Sequence, residues 1–389
     1  MKIEANQNCS IGVVGGGQLA QMLANAGKDL GVQVVVQTGS EFDPAISSAA
    51  DVIYADTEDL AGTKQLAQKC RSVTFENEWV DIEGLSILED SGVIFVPSLS
   101  AISPLVNKLS QRKLLNKLNI PGPEWITLSS FSISELMLKD GWKFPLMAKS
   151  SLGGYDGKGT KVIRDYCELR DLLRSVNPKN WFLEKWVDYS LELSLVVSRD
   201  LNGEVRTFPL TETYQVNQIC DWVLAPADIN HPVEAMAQNI ALSLVRELDY
   251  KGVLAIEFFY GEDGLLVNEI APRTHNSAHL SIEACEASQF EHQIAIASGL
   301  PVKSAELITS GAMMVNLLGF NDEADSLDNR LNQLKKIPRL TVHWYNKNKN
   351  KPGRKLGHVT LLLESTDKHL RRKEALDALS KIRSIWPIE

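Results

Sequence analysis

Two glutamates define the chemistry this chain could do. Glu257 lies inside the apolar run Val253–Tyr260. Glu269 lies near the end of Leu265–Ala271, beyond the turn Gly261-Glu262-Asp263-Gly264. The two runs read as strands of a hairpin. Acids are depleted in strands, and apolar neighbours make their burial costly. A hairpin closed by three loop residues would set Glu257 directly opposite Glu269 on one face, where like charges repel. A divalent cation removes that conflict, and Mg²⁺ favours carboxylates shared with substrate phosphates. Pro272, Arg273, His275, Asn276 and Ser277 follow at once, a polar run that stability alone does not require. The alternative is a pair of edge-strand glutamates facing water.

A second constellation suits phosphate. The strand Phe144–Lys149 ends on a lysine. It leads into Ser150-Ser151-Leu152-Gly153-Gly154-Tyr155-Asp156-Gly157-Lys158-Gly159-Thr160, and Thr160–Arg164 returns as a strand. Such a hairpin loop can fold its backbone N–H groups over phosphates, with Lys149 and Lys158 adding charge. It is not a Walker A loop, because no G-x-x-x-x-G-K-[ST] precedes a helix. A mobile surface hairpin is the competing reading, and Asp156 could serve there as a turn cap bonding its own backbone.

These groups need elements to position them. Ser10–Val14, Gly15-Gly16-Gly17-Gln18-Leu19-Ala20, a helix through Leu30 and the strand Val32–Val36 form a β-glycine-α-β opening, which predicts a parallel α/β sheet. Gly15-x-Gly17-x-x-Ala20 also fits a dinucleotide fingerprint, but Gln37 ends the second strand where an acid usually holds the ribose. Val52–Tyr54, a helix around Asp59–Lys69, Ser72–Phe75 and Val93–Val96 continue the sheet. Glu76, Asn77 and Glu78 sit just past a strand end, where open α/β sheets bind ligands. Pro97–Pro104 is a boundary, a helix spans Leu105–Leu118, and Pro121-Gly122-Pro123 is a stiff connector. Strands follow at Trp181–Val187, Leu191–Ser198, Val205–Leu210 and Gln218–Leu224, with a helix over Pro232–Leu248. Beyond the hairpin come helices Ala278–Glu286 and Gln289–Ser298, strands Val315–Leu318, Thr341–Tyr345 and Val359–Glu364, and a helix Lys368–Ile382. In the basic loop Asn346–Lys355, Lys347, Lys349 and Lys351 read as solvated. Arg354-Lys355-x-Gly357-His358 is a candidate phosphate or sugar contact.

The 389 residues suffice for two or three domains, and 44% hydrophobic with 23% charged residues is globular. A net charge of -9 disfavours non-specific nucleic-acid or membrane-surface binding. Five scattered cysteines without a C-x-x-C pair read as reduced thiols of a cytoplasmic protein. The first ten residues lack the apolar region of a signal peptide, and no apolar run approaches a membrane span.

The order of these parts is similar to the ATP-grasp superfamily, in which ATP lies between two α+β units. Gly12-x-x-Gly15-Gly16-Gly17-Gln18-Leu19, Gly153 to Gly159, Asn268-Glu269-x-Ala271-Pro272-Arg273-x-His275-Asn276-Ser277, His343-Trp344-Tyr345 and Gly353-Arg354-Lys355-x-Gly357-His358 resemble the PurK-type 5-(carboxyamino)imidazole ribonucleotide synthases over nearly the whole chain. The resemblance implies an α/β and α+β ATP-grasp fold. Residues 1–105 would form a Rossmann-like parallel-sheet domain, 106–187 a small lid domain and 188–389 a C-terminal α+β domain. It implies a C–N-forming ligase that uses ATP, Mg²⁺ and bicarbonate to carboxylate the amine of 5-aminoimidazole ribonucleotide, by way of carboxyphosphate, in purine biosynthesis. It also implies a homodimer.

On this resemblance Lys149 and the backbone of Gly154, Tyr155, Asp156, Gly157, Lys158, Gly159 and Thr160 hold the phosphates of ATP. Glu184, Lys185, Trp186 and Val187 frame the adenine, and Glu192 takes the ribose. Lys108, Gln215 and Asn268 complete the ATP site, and Glu257 and Glu269 hold Mg²⁺. Asp156, Tyr155, Arg273, His275 and Lys355 are the catalytic candidates. Gly16, Gln18, Leu19, Glu76, Asn77, Arg273, His275, Asn276, Ser277, Arg354 and Lys355 hold the nucleotide and bicarbonate. Three departures stand out. Asn107-Lys108 replaces Asp-Arg, Gln215 replaces a histidine, and Ala278-His279-Leu280 replaces Gly-His-Trp or Gly-His-Tyr. The rival readings are an ATP-grasp ligase with another acceptor, a non-catalytic nucleotide-binding regulator and an NAD dehydrogenase.

Overall fold

In a computed structural model, the structure describes residues 10–128, 141–153, 159–320, 325–347 and 350–388. Tyr155, Asp156 and Lys158, the backbone of Gly154 and Gly157, and Lys349 lie outside the described residues. Three sheets form among the described residues.

The first sheet contains Ser10–Val14 (β1), Gln33–Thr38 (β2), Asp51–Tyr54 (β3) and Ser72–Phe75 (β4), all parallel, in the order β3-β2-β1-β4. Gln18–Leu30 (α1), Leu60–Lys69 (α2) and Ile82–Asp90 (α3) connect and cover it. α1 stops where Gly31 turns left-handed at φ 69°. α2 starts where the Asp59 carboxylate accepts from the N–H groups of Ala61 and Gly62. On one face Ile11, Val13, Val34 and Val36 pack with Leu19 and Leu23 of α1, and with Phe290 and Ile294 of the distant helix Gln289–Ser298. Ser72 Oγ donates to the Ala297 carbonyl at 2.9 Å, and Gln293 Nε2 to Thr74 Oγ1 at 3.0 Å. Val93–Val96, expected as a strand, makes only a single bridge from Phe95 to Val73. Pro97 ends it, having no N–H to give a ladder.

Leu99–Ile102 (α4) and Lys108–Lys117 (α5) lead to the second sheet. α5 begins later than expected because Asn107 caps it, accepting from the Ser110 N–H at 3.0 Å. Trp125–Thr127 (β5), Leu146–Ser150 (β6), Thr160–Ile163 (β7) and Trp181–Lys185 (β8) are antiparallel in the order β5-β8-β6-β7. Their core joins Ile126, Leu146, Ala148, Ile163 and Leu183 to Leu169 and Leu172 of the helix Tyr166–Ser175.

The third sheet has nine strands. They are Leu191–Arg199 (β9), Val205–Thr207 (β10), Thr211–Val216 (β11), Ile219–Ala225 (β12), Gly252–Gly261 (β13), Gly264–Ala271 (β14), Gly311–Leu318 (β15), Leu340–Trp344 (β16) and Lys355–Leu363 (β17). Their order is β14-β13-β9-β11-β12-β15-β17-β16, with β10 beside β9. The helix expected over Ala278–Glu286 is broken into a 3₁₀ turn, Asn276–Ala278, and one short turn, Ser281–Ala284. That segment lies against the face bearing Glu257, and Ser194 Oγ of β9 meets Ser277 Oγ at 2.7 Å. Among the described residues no helix is long and apolar enough to cross a membrane.

Candidate active site

The hairpin β13–β14 places Glu257 opposite Glu269, though not by the expected turn. Only two residues, Glu262 and Asp263, separate the paired glycines 261 and 264. A bulge at Asn268 shifts the register, so that Glu257 faces Glu269. Without it Glu257 would face Asn268, and a one-residue slip sends a side chain to the other face. Burial pushes the Glu257 carboxyl up to about 7, helped by the nearby charges of Glu269 and Glu192. Lys108 Nζ reaches Glu269 Oε2 at 2.7 Å. Two carboxylates opposed across one ladder, one of them with a raised pKa, are a donor set that a hard divalent cation fits. Among the described residues no cluster of three or more His, Cys, Asp or Glu is set to hold a metal ion.

A divalent cation taken by Glu257 would have to displace its proton. Apparent Mn²⁺ affinity is therefore expected to be level above about pH 7 and to fall below it, by up to roughly tenfold per pH unit. Titrations giving equal affinity on both sides of that pH would remove Glu257 from the ligand set.

Beside this pair lies a buried ion cluster. Glu184 of β8, 2% exposed, accepts from Arg112 Nε and, at 2.9 Å, from Lys149 Nζ. Lys149 also donates to Asn268 Oδ1 at 3.1 Å. Burial opposes the Glu184 charge, but Arg112 and Lys149 outweigh it and hold its pKa below the usual range. The Glu184 side chain thus anchors Lys149. Just beyond it, the exposed Trp186 and the half-buried Lys185 and Val187 join the small sheet to the large one. Lys185 Nζ bonds Glu124 at 2.6 Å, and Trp186 Nε1 bonds Asp188 at 3.0 Å. Glu192, next to Ser194 on the Glu257 face, bonds the Tyr189 hydroxyl at 2.6 Å and the Gln215 side chain. Thr160 Oγ1 reaches Gln218 at 3.1 Å, and Gly159 accepts from the Ser150 N–H at 2.8 Å.

Arg273 and His275 complete the centre. Arg273 forks onto Glu78, Nε at 2.5 Å and Nη2 at 3.3 Å. Burial works against the Glu78 carboxylate, but the Arg273 charge and hydrogen bonds prevail, lowering its pKa. Burial, with Arg273 and Lys355 nearby, pushes His275 down to about 3, so its ring is neutral. The Ser277 N–H points at His275 Nδ1 at 3.3 Å, so Nδ1 accepts and the proton sits on Nε2, 3.5 Å from Glu257 Oε1. Gln289 fixes the His275 main chain from both sides, accepting from its N–H at 2.8 Å and donating to its carbonyl at 2.6 Å. Asn276 exchanges side-chain hydrogen bonds with Asn316 at 2.7 and 3.1 Å.

At the far side, the Glu76 carboxylate lies on the N-terminus of α1. It accepts from Gly17 N–H at 2.7 Å, Leu19 at 3.1 Å and Ala20 at 3.4 Å. A Cβ at Gly15, φ 129°, or at Gly17 would collide with Glu76. The glycines therefore admit a carboxylate of the protein itself, seated where the dinucleotide reading needs a pyrophosphate. Gln37 is buried and bonded to Asp56, Asp59 and Thr63. Gly16, whose carbonyl accepts from Ala45, and Gln18 flank this turn. Asn77 caps the next turn by accepting from the Trp79 N–H at 3.0 Å. Lys347, expected to be solvated, is half-buried and donates to the Lys355 carbonyl at 2.9 Å. Burial, and the charges of Arg354 and Lys355, bring it down to about 8. Arg112 and Gln289 escape the sequence reading, which marks Glu78 only by its place past the end of β4 and takes Lys347 for a solvated charge.

A small antiparallel sheet whose buried lysine, anchored by Glu184, reaches Asn268 beside the carboxylate pair of a large antiparallel sheet is the arrangement of an ATP-grasp protein. Residues 113–290 match the ATP-grasp domain model. Residues 9–103 match the ribonucleotide synthetase preATP-grasp domain, and 312–372 the phosphoribosylaminoimidazole carboxylase C-terminal domain. The N5-carboxyaminoimidazole ribonucleotide synthase of Synechococcus elongatus is 44% identical over 377 residues, covering 97% of this chain and 95% of that protein. The Aspergillus clavatus enzyme in complex with ADP and 5-aminoimidazole ribonucleotide superposes with a TM-score of 0.86. It is 31% identical and covers 97% of this chain and 98% of its own. The structure of that organism's enzyme with ATP gives a TM-score of 0.86 at 32% identity, covering 97% and 99%. The chain belongs to the N5-carboxyaminoimidazole ribonucleotide synthase family.

Proposed function

We propose that this chain carboxylates the amine of 5-aminoimidazole ribonucleotide with ATP and bicarbonate, in purine biosynthesis, and that the site just described is where it does so. The observation that carries the reading is the convergence of four groups at that site. These are the carboxylate pair Glu257–Glu269, the buried Lys149, the Arg273 fork and the neutral His275. In this reading a bicarbonate oxygen attacks the γ-phosphorus of ATP and ADP leaves. The carboxyphosphate formed then loses phosphate as the substrate amine takes the carboxyl carbon and gives up a proton.

Lys149 and the lid residues 154–160 hold the phosphates. Glu257 and Glu269 hold Mg²⁺, which when bound would neutralise charge developing on the phosphate oxygens. The Nε2–H of His275 and the Arg273 Nη protons not taken by Glu78 and the Thr274 carbonyl are donors suited to a carboxylate oxygen. Tyr155 and Asp156 orient the amine, and a closed lid keeps water from the acyl phosphate. Glu192, with Gln215 and Lys185 to Val187, takes the nucleoside of ATP. Glu76, Asn77, Gly16, Gln18 and Leu19 line the ribonucleotide's seat, with Asn276 and Ser277 beside it. Lys347, Arg354 and Lys355 supply three cations for its phosphate. The units 1–105, 106–187 and 188–389, a homodimer and a cytoplasmic setting belong to the same reading.

The deciding experiment is ATP hydrolysis by the purified chain. Turnover should require both bicarbonate and 5-aminoimidazole ribonucleotide, and turnover indifferent to either would sink the reading. Lys355→Ala is expected to raise KM for the ribonucleotide about tenfold or more, with KM for ATP little changed, since a charge-assisted contact to phosphate is lost. A change confined to the ATP constant would move the Lys355 strand to the cofactor side.

A further inference from the structure

β14 is an outermost strand of the nine-stranded sheet, and α5 stands where the next strand would be. Gln111 Nε2 donates to the Ile270 carbonyl at 2.8 Å, and Gln111 Oε1 accepts from the Ile270 N–H at 3.0 Å. Arg112 Nη1 donates to the Val267 carbonyl at 2.9 Å, and Nη2 to the Asn268 carbonyl at 2.7 Å. Its Nε is spent on Glu184. The Val267 N–H completes the edge by donating to the Pro121 carbonyl at 2.9 Å. Lys108, Gln111 and Arg112 recur at i, i+3 and i+4, so one helical face presents all three to β14.

The two carbonyls that Arg112 holds flank the bulge. Asn268 is the extra residue there, and a bulged residue lacks a partner across the ladder. The bulge is also what brings Glu269 opposite Glu257. We propose that Arg112 is a positioning residue for the metal site, its guanidinium fixing the carbonyls of Val267 and Asn268 so that the bulge persists and Glu269 faces Glu257. Gln111 secures the next residue in the same way. A lysine at 112 could still offset the Glu184 charge, but it lacks the rigid fork that spans Glu184 and two carbonyls at once. The inference rests on Glu257 and Glu269 being the divalent-cation ligands.

The test is Mn²⁺ binding to the full chain, read from the free-ion electron paramagnetic resonance signal, with wild type, Arg112→Lys, Arg112→Met and Glu269→Gln side by side. Both Arg112 variants should weaken Mn²⁺ binding by about 10- to 100-fold, the range seen when a partner that orients a metal ligand is removed. Hydrogen exchange of residues 264–271 should rise with it. Should Arg112→Met not fold, Arg112→Lys decides alone. A purely structural arginine would lower the unfolding midpoint and leave Mn²⁺ affinity within about twofold of wild type. That result, with binding lost in Glu269→Gln, overturns the role of Arg112 and keeps the carboxylates as ligands. Equal binding by wild type and Glu269→Gln would instead remove the metal assignment, and the inference with it.

Discussion

Glu269→Gln is expected to lower ATP turnover by at least about 100-fold at saturating Mg²⁺ without unfolding the protein. The size is that of losing a preorganised electrostatic contact to the reacting phosphoryl group. Folding should not suffer, because Glu269 is partly exposed and stands opposite a like charge. Its removal leaves Glu257 with one carboxylate neighbour fewer, which favours the folded state. Lys108 loses a charged partner in this part-buried pair, but it can still donate to the amide oxygen of the variant. Steady-state turnover and a thermal melt of the same preparation check both halves. Wild-type turnover in the variant would take the metal from this site.

Glu184→Ala should do the reverse, destabilising the fold first. Arg112 and Lys149 have side chains only 4% and 10% exposed, and Glu184 is the anion between them. Removing one partner of a buried ion pair costs about 3–5 kcal/mol, chiefly for the charge left behind. Urea unfolding at neutral pH measures it, and a loss below about 1 kcal/mol would show that water reaches the cluster. The pH dependence has a definite sign. The folded-state pKa of Glu184 lies below its unfolded value, so its contribution is full above the ordinary glutamate pKa of 4.5. It fades as pH falls from there through the folded value. The Glu184→Ala variant should lack that part of the acid dependence.

The carboxylate pair was legible because one extra residue, assigned to the turn in the sequence but carried by the bulge in the structure, has the same effect on register and sets Glu269 opposite Glu257. The loop itself was misjudged, since a bulge leaves no mark in a sequence: Asn268 reads like any strand residue. Arg112 was illegible for a related reason. On a helix it looks like solvated polarity, and its burial depends on carbonyls 155 and 156 residues away. β11 was missed because Thr211-Glu212-Thr213 lacks apolar residues. Those positions are buried all the same, with Glu212 held by Arg372 at 2.6 and 2.9 Å. The lysines of the basic loop misled in the opposite sense. Charge runs are usually solvated, but Lys347 lies beside the Tyr345 ring and the Lys355 carbonyl.

The helix Gln289–Ser298 has a consequence for how the protein is made. It covers the first sheet although 225 residues separate Ser72 from its partner Ala297. A ribosome adding about 5–20 residues per second needs roughly 10–45 seconds to cross that gap. Throughout that interval Ile11, Val13, Val34 and Val36 have α1 but not Phe290 and Ile294 to shield them. The nascent chain therefore carries an open apolar surface through most of its synthesis, a natural target for holdase chaperones and a point of risk during overexpression. An excised amino-terminal fragment would keep that surface permanently.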